Sequence, residues 1–370
     1  MKLFDPIELR ELRLANRIVV SPMCQYSAVD GCATDWHLVH WGQLLMSGAA
    51  MFTIEATAVT ADGRISPGDL GLYDDACEEA IARTLARARA QCPPVAVALQ
   101  LAHAGRKGSS HEPWKGGAQI PLADGGWTVL APSAIAHAAG EATPAGIDAA
   151  GLVAIRDAFV ASARRAARIG IDALELHFAH GYLLHEFLSP LSNHRTDAYG
   201  GSLEARMRFP LEVFDAVRAA WPSSRPLGAR LSCTDWVDGG WDIEQSIELS
   251  RRLVARGVDW IDASSGGVSP AQKVPVGPGY QVGFAGAIRR ATGATTIAVG
   301  MITSPEQAAA ILAAGDADMV ALGRAFLWDP RWAWHAAAAL GASVSPPPQY
   351  LRAAPHAAAA VFAGARIGQR

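Results

Sequence analysis

Two imidazoles and a phenol lie within six residues of one another, in Glu175-Leu-His-Phe-Ala-His-Gly-Tyr182, with His185 just beyond. A neutral imidazole donates N–H to an oxygen on which negative charge develops, and a phenol holds its proton at neutral pH. Three uses fit these residues. They are structural histidines in a loop, a metal site of His177-x-x-His180 with His185, or an oxyanion site (His177, His180) with a proton donor (Tyr182). The preceding run, Ile171-Asp-Ala-Leu-Glu-Leu-His177, alternates at Ile171 and Ala173 as a strand does. Proton-handling side chains at a strand end are how α/β enzymes present chemistry.

Eight short apolar runs repeat that pattern: Arg17–Met23, Met51–Ala56, Val95–Leu101, Ile171–His177, Pro226–Ser232, Val258–Ala263, Thr295–Val299 and Asp318–Gly323. Helical spacing separates them. Leu152, Ile155, Phe159, Ala163 and Ala166 share one face, as do Ile243, Ile247 and Val254. Ser304-Pro305 reads as a helix start and Gly315 as a stop. Strand and helix in alternation predict an α/β fold, a (β/α)8 TIM barrel over residues 1–340. A doubly wound sheet would want Gly-x-Gly-x-x-Gly after the first strand, where Ser21-Pro-Met-Cys-Gln-Tyr26 stands instead. Ala104–Thr143, after strand 3, is too long for a plain connection and predicts a lid. Ser345-Pro-Pro-Pro-Gln-Tyr-Leu-Arg352 predicts an extended C-terminal arm within residues 341–370, reaching a neighbouring subunit.

Barrel enzymes work at the C-terminal ends of their strands. Strand 1 delivers Pro22, Met23, Cys24 and Tyr26; strand 2, Glu55 and Ala56; strand 3, Gln100, His103, Arg106 and Lys107. Strand 4 delivers the His–Tyr cluster and strand 5, Arg230. Strand 6 delivers Ser264, strand 7, Gly300, and strand 8, Gly323 and Arg324. Glycines plus an arginine at strands 7 and 8 suit a phosphate. Gln100 and Arg230 then face the middle of the ligand, where an amide and a cation suit a flavin's pyrimidine edge; a core salt bridge of Arg230 with Glu55 or Glu175 is the alternative.

In order along the chain, several motifs make up a resemblance. They are Asn16-Arg-Ile-Val-Val-Ser-Pro-Met-Cys-Gln-Tyr26, Glu55-Ala56, Gln100-Leu-Ala-His-Ala-Gly-Arg-Lys107 and His177-Phe-Ala-His-Gly-Tyr182. Further on stand Ser192-Asn-His-Arg-Thr-Asp-Ala-Tyr-Gly-Gly201, Gly300-Met-Ile-Thr303, Gly323-Arg324 and Gln349-Tyr-Leu-Arg352. The chain resembles the old yellow enzyme family of flavin-dependent ene-reductases, in its bacterial class of thermophilic-like enzymes and xenobiotic reductases. The resemblance implies noncovalent FMN, with NADPH or NADH as reductant and an electrophilic alkene as substrate. Ser21, Pro22, Met23, Cys24, Ala56, Gln100 and Arg230 would meet the isoalloxazine, and Ser264, Gly300, Gly323 and Arg324 the ribityl phosphate. Lys107 would be a flavin or lid residue. Cys24 and Tyr26 would line the substrate pocket, with Arg352 entering from a partner in a homodimer or larger homo-oligomer. His177 and His180 would hold the substrate carbonyl and Tyr182 would protonate Cα.

Two other classes stay open on residues alone. A metal-dependent barrel hydrolase would use His177 and His180, yet strands 1 and 8 offer it no further ligands, so no metal is expected. A phosphosugar isomerase would need a rim carboxylate, for which Glu55 is the candidate. A net charge of −3 without a basic block argues against nucleic acid. No signal-like N-terminus or membrane-length apolar run is seen, which predicts a cytoplasmic protein. Five cysteines without a Cys-x-x-Cys suggest neither a disulfide framework nor a cluster.

Overall fold

The computed structural model describes residues 2–363; the end of the Ala-rich tail, part of the expected subunit contact, lies outside the described residues. Eight parallel strands close into a barrel: β1 (Ile18–Val20), β2 (Met51–Ala58), β3 (Ala96–Ala102), β4 (Ala173–Phe178), β5 (Leu227–Ser232), β6 (Trp260–Ser264), β7 (Thr296–Ala298) and β8 (Met319–Leu322). Each pairs with its successor, and β8 returns to β1 from Val320↔Ile18 to Leu322↔Val20. All eight expected runs are strands, and closure rules out the doubly wound sheet. The first strand is shorter than its apolar run because Pro22 has no N–H for the ladder; Ser21 N–H still donates to Leu322 O at 3.0 Å.

Period two sorts the side chains. On β4, Leu174, Leu176 and Phe178 join the outer core, while Ala173 joins an inner cluster with Val19, Met51, Ala98, Trp260, Ile297 and Met319. An N-terminal hairpin, Ile7–Leu9 against Leu12–Leu14, closes this floor with Leu9 and Leu14. The Trp260 indole fits inside because its β5 neighbour in register is Gly228, where an added Cβ would overlap the ring. Its Nε1 donates to Glu175 Oε2 at 3.1 Å. That bond marks the level at which the apolar floor gives way to a polar upper layer.

Helices α1 (Asp35–Leu45), α2 (Asp75–Arg89), α3 (Ala149–Arg168), α4 (Leu183–Leu188), α5 (Leu203–Ala220), α6 (Ile243–Ala255), α7 (Val282–Thr292), α8 (Pro305–Ala314), α9 (Arg324–Trp328) and α10 (Trp332–Leu340) follow the strands. On α3 the expected face is the buried one. On α6 it is not: Ser246, Leu249, Ser250 and Leu253 are buried, Ile243 and Ile247 only flank them, and Val254 is exposed. The serines go unnoticed in an apolar pattern because their hydroxyls are satisfied within the helix, Ser250 Oγ donating to Ser246 O at 2.7 Å. Helix α8 starts and stops as expected, with Ser304 Oγ accepting Gln307 N–H and Gly315 left-handed.

The segment after strand 3 brings Trp114 edge-on to Tyr26, their ring centroids 5.5 Å apart. The C-terminal segment is extended only up to Pro347, then coils into 3-10 turns at Pro348–Ala353 and His356–Val361. Val361 and Phe362 are buried against Trp334 of α10, so the arm is anchored to its own barrel. Arg352 stands exposed on the first turn.

Candidate active site

Above Trp260 the inward positions turn polar. Gln100 Nε2 donates to Glu175 Oε1 at 2.8 Å, across the β3–β4 register pair. Arg230 of β5 sits in register with Asp262 of β6, its Nε 3.2 Å from Asp262 Oδ2. Asp262 is thus the ion-pair partner of Arg230, in place of Glu55 or Glu175; adjacent strands at one register outcompete carboxylates farther round the barrel. Burial, with Asp262 beside it, raises the Glu175 pKa, and Arg230 opposes this.

A cavity of about 800 Å³ opens above this layer. Ser21, Pro22, Met23, His180, Arg230, Ser264, Gly300, Gly323 and Arg324 all line it. Its size matches a cofactor cleft. Ser21 Oγ is buried without a hydrogen-bond partner, which in a native protein points to a ligand. Gly300 has φ +120°, and a Cβ there would meet the Gln281 side chain at 2.8 Å, so only glycine fits. Apolar walls from Met23, Val299, Ile302 and Leu322, with a guanidinium on β5 and another after β8, fit a planar ring system carrying a phosphate.

The His–Tyr cluster rises from β4 beside this cavity. Ala179 N–H donates to His177 Nδ1 at 3.2 Å, so the neutral ring carries its proton on Nε2. His177 Nε2 is 3.3 Å from His180 Nδ1, and His180 Nε2 is 2.7 Å from Ser264 Oγ. A single donor direction therefore runs from His177 through His180 to Ser264. Burial first, and the Arg230 charge second, push both imidazoles well below the usual histidine range. Both are neutral donors at pH 7. The Tyr182 ring lies 5.0 Å from His177, and burial holds its phenol pKa well above normal. His180 is left-handed at φ 60°, and Tyr26 and Met301, after β1 and β7, are left-handed as well. Such backbone in bulky residues is strained and clusters where loops serve function.

Lys107 does not reach into the cavity. Its Nζ donates to His180 O at 2.9 Å and Gly267 O at 3.0 Å, tying the loops after β4 and β6 together under the Tyr182 ring. His185 is likewise spoken for: Nδ1 accepts Gly181 N–H at 2.8 Å and Nε2 faces Asp235 at 2.9 Å. It is therefore no third ligand for a metal at His177 and His180. His103 is buried and accepts Gly105 N–H.

On the opposite side, burial and then Cys24 raise the Tyr26 pKa, and burial with Cys24 and Tyr26 nearby raises that of Tyr182. Burial first, and then Asp69 and Glu55, keep the Cys24 thiol protonated. Glu55 accepts Gln25 N–H at 3.1 Å and lies 3.4 Å from His37, engaged below the rim, so it is no isomerase base. Ala56 lines a small cavity with Tyr182 and not the large one. Arg352 is in neither. Sequence reading missed Tyr280, Gln281, Trp328 and Trp332 in the large cavity. Of these, Gln281 had the best signal, a polar residue after Gly279-Tyr280 in an over-long connection; its Nε2 bonds Val299 O at 3.2 Å. Asp69 was missed as well.

A closed (β/α)8 barrel whose mouth holds a cleft for a phosphorylated ring, beside paired neutral histidines, is the framework of a flavin mononucleotide oxidoreductase. The chain belongs to the NADH:flavin oxidoreductase / NADH oxidase family, which it matches over residues 2–342. It is similar to an NADPH dehydrogenase of Geobacillus thermodenitrificans (42 % identity over 352 residues, covering 95 % of this chain and 98 % of the relative). It is also similar to an NADPH dehydrogenase of Bacillus subtilis (42 % over 353 residues, 95 % and 98 %). Among solved structures it resembles morphinone reductase in complex with tetrahydroNAD, with TM-score 0.75, 28 % identity and coverage of 94 % and 93 %. The old yellow enzyme resemblance read from the motifs holds: the protein is an NAD(P)H-dependent flavin oxidoreductase whose cofactor is FMN. No helix among the described residues is long and apolar enough to cross a membrane.

Proposed function

We propose that this oxidoreductase reduces the C=C bond of activated alkenes, such as α,β-unsaturated carbonyls, maleimides and nitroalkenes, by a ping-pong cycle. FMN, reduced by NADPH or NADH, would supply the hydride that the alkene accepts at Cβ. The Ser21–Cys24 loop, Ala56, Gln100 and Arg230 would hold the ring, and Ser264, Gly300, Gly323 and Arg324 the ribityl phosphate. Gln100 donates its amide N–H to Glu175, which leaves its carbonyl oxygen to accept from the ring.

The observation that carries this reading is the pair of neutral imidazoles beside a buried phenol, with His180 on the wall of the large cavity. An entering carbonyl oxygen would accept hydrogen bonds from the imidazole N–H groups in exchange for their contacts with His180 Nδ1 and Ser264 Oγ, and be stabilised as charge builds on it. Tyr182 then protonates Cα. Cys24 and Tyr26 border the substrate, with Trp114 packed on Tyr26. The charged Arg352 would enter a partner's site in a homodimer or larger homo-oligomer.

Tyr182→Phe tests the reading through the two half-reactions. Flavin reduction by NADPH should keep its wild-type rate, while reoxidation by 2-cyclohexenone should slow by about 10²–10⁴. If the variant's flavin instead fails to bind or to be reduced, the role given to Tyr182 is wrong.

A further inference from the structure

A phenol that gives up its proton in a dry pocket becomes an anion that the pocket disfavours. Burial and the neighbouring Cys24, Tyr26 and Asp69 all raise the Tyr182 pKa. Asp69, between β2 and α2, is used by nothing described above. Its loop passes under the substrate side, where Gly68 O accepts Ala28 N–H at 2.8 Å and Gly68 leaves no room for a Cβ against the Tyr26 carbonyl. Asp69 is 2 % exposed. Its Oδ2 accepts Ser66 N–H at 2.5 Å, but Oδ1, buried as well, has no partner.

Asp69 and Tyr182 share the wall of a cavity of about 10 Å³. That is near the roughly 10–15 Å³ that one water needs. The rest of the wall is four alanines, Gly63, Arg64 and Ile65, so Asp69 and Tyr182 are the acid–base groups that meet there. A buried carboxylate oxygen without a partner, on a residue that lines one water's space together with a proton donor, suits a relay.

Taking Tyr182 as the proton donor to Cα, we propose that Asp69 acts through it: the carboxyl passes a proton across one water to the phenol oxygen as the phenol protonates substrate. The phenol O–H bond breaks as the C–H bond forms at Cα. A water O–H bond breaks as the phenol regains its proton, and the carboxyl O–H breaks as the water is restored. No electrons change hands in this step, and the negative charge of the enolate ends on the Asp69 carboxylate. Solvent reprotonates that carboxylate between turnovers. Asp69 suits the task because burial, with Glu55 behind it, lifts it to about 7, against the pull of Ser66 N–H and Arg64. Cys24, Tyr26 and Tyr182 face it as neutral groups, and His103, packed on Gly63, is lowered to about 4 and also neutral.

The test uses the FMN-loaded enzyme in anaerobic stopped flow with NADPH and 2-cyclohexenone. In the wild type, reoxidation should slow as pH rises through about 7, because Asp69 loses its proton there. Asp69→Asn should keep flavin reduction within about twofold, slow reoxidation at pH 6.5 by roughly 10–100-fold, and flatten that pH profile. Asp69→Glu should restore part of the rate, which a merely structural role would not allow. The wild-type profile and the Asp69→Glu arm still decide the matter if Asp69→Asn folds poorly. Reoxidation of Asp69→Asn at the wild-type rate with an unchanged profile overturns the relay alone. Equal slowing of both half-reactions without rescue by Asp69→Glu assigns Asp69 a structural role and also overturns it. A wild type that NADPH reduces but no enone reoxidises overturns the parent reading, and the relay with it.

Discussion

On β4, Ala173 packs into the floor of the barrel beside Trp260, and His177, two inward positions higher, stands at the mouth as a neutral donor. The same strands and the same period-two alternation produce both levels. Floor side chains are apolar and interchangeable in kind, closed by Leu9 and Leu14, and contribute through burial. Mouth side chains are polar, several lack partners, and the loops that carry them hold bulky residues in left-handed backbone. Stability therefore resides low in the barrel and chemistry high, so substitutions at the two levels should separate cleanly.

The largest effect is expected on the floor. Trp260→Ala should cost about 3–5 kcal/mol in denaturant unfolding. The surviving folded fraction should retain both half-reactions; loss of rate without loss of stability would break the division. His177→Ala should do the reverse, lowering reoxidation by enone by roughly 10²–10³, or about 2.7–4 kcal/mol, with an unchanged unfolding midpoint. Next, Arg324→Ala should weaken FMN binding by about 1.5–3 kcal/mol, read as retention of flavin on dilution. Equal FMN affinity would move the phosphate site elsewhere.

The smallest effect concerns acid. His40 and His103 are lowered to about 4 by burial, so between their ordinary value and pH 4 the unfolded chain binds protons that the folded one refuses. Stability from this source is complete above the ordinary histidine range and is lost as pH falls through the window. Asp69 at about 7 and Glu186 at about 8 act oppositely: stability from this source is complete below the ordinary carboxylate range, where folded and unfolded chains are both protonated, and is lost as pH rises from that range to about 7 and 8. His40→Gln should shrink the drop in urea midpoint between pH 7 and pH 5; an identical drop would mean His40 is not held neutral.

Much of this division could be read in the sequence. The eight strands were visible because buried parallel strands are short apolar runs, and the rim residues because they fall at the ends of those runs. The alternation at Ile171 and Ala173 marks a strand but not a face: Ile171 packs in the outer core and Ala173 inside. What escaped were the contacts that join distant parts of the chain. Lys107 bridges carbonyls of His180 and Gly267, and no local pattern announces a lysine that bonds backbone 160 residues away. Asp262 was passed over for Arg230 because pairing depends on the register of β5 against β6. On α6, serines bonded within the helix hid the buried face. Asp69 carries no signal in its local sequence, and only the burial of its free oxygen distinguishes it.

The origin of the two new hydrogens in the product tests the central claim most directly. The FMN-loaded enzyme would be given nicotinamide-deuterated NADPH and 2-cyclohexenone in ordinary water, and the converse pair in deuterium oxide. The account predicts deuterium at Cβ from the nicotinamide and at Cα from the solvent, with a solvent isotope effect on reoxidation that grows when Tyr182 is changed to Phe. An unreduced alkene, or nicotinamide deuterium at Cα, would contradict it.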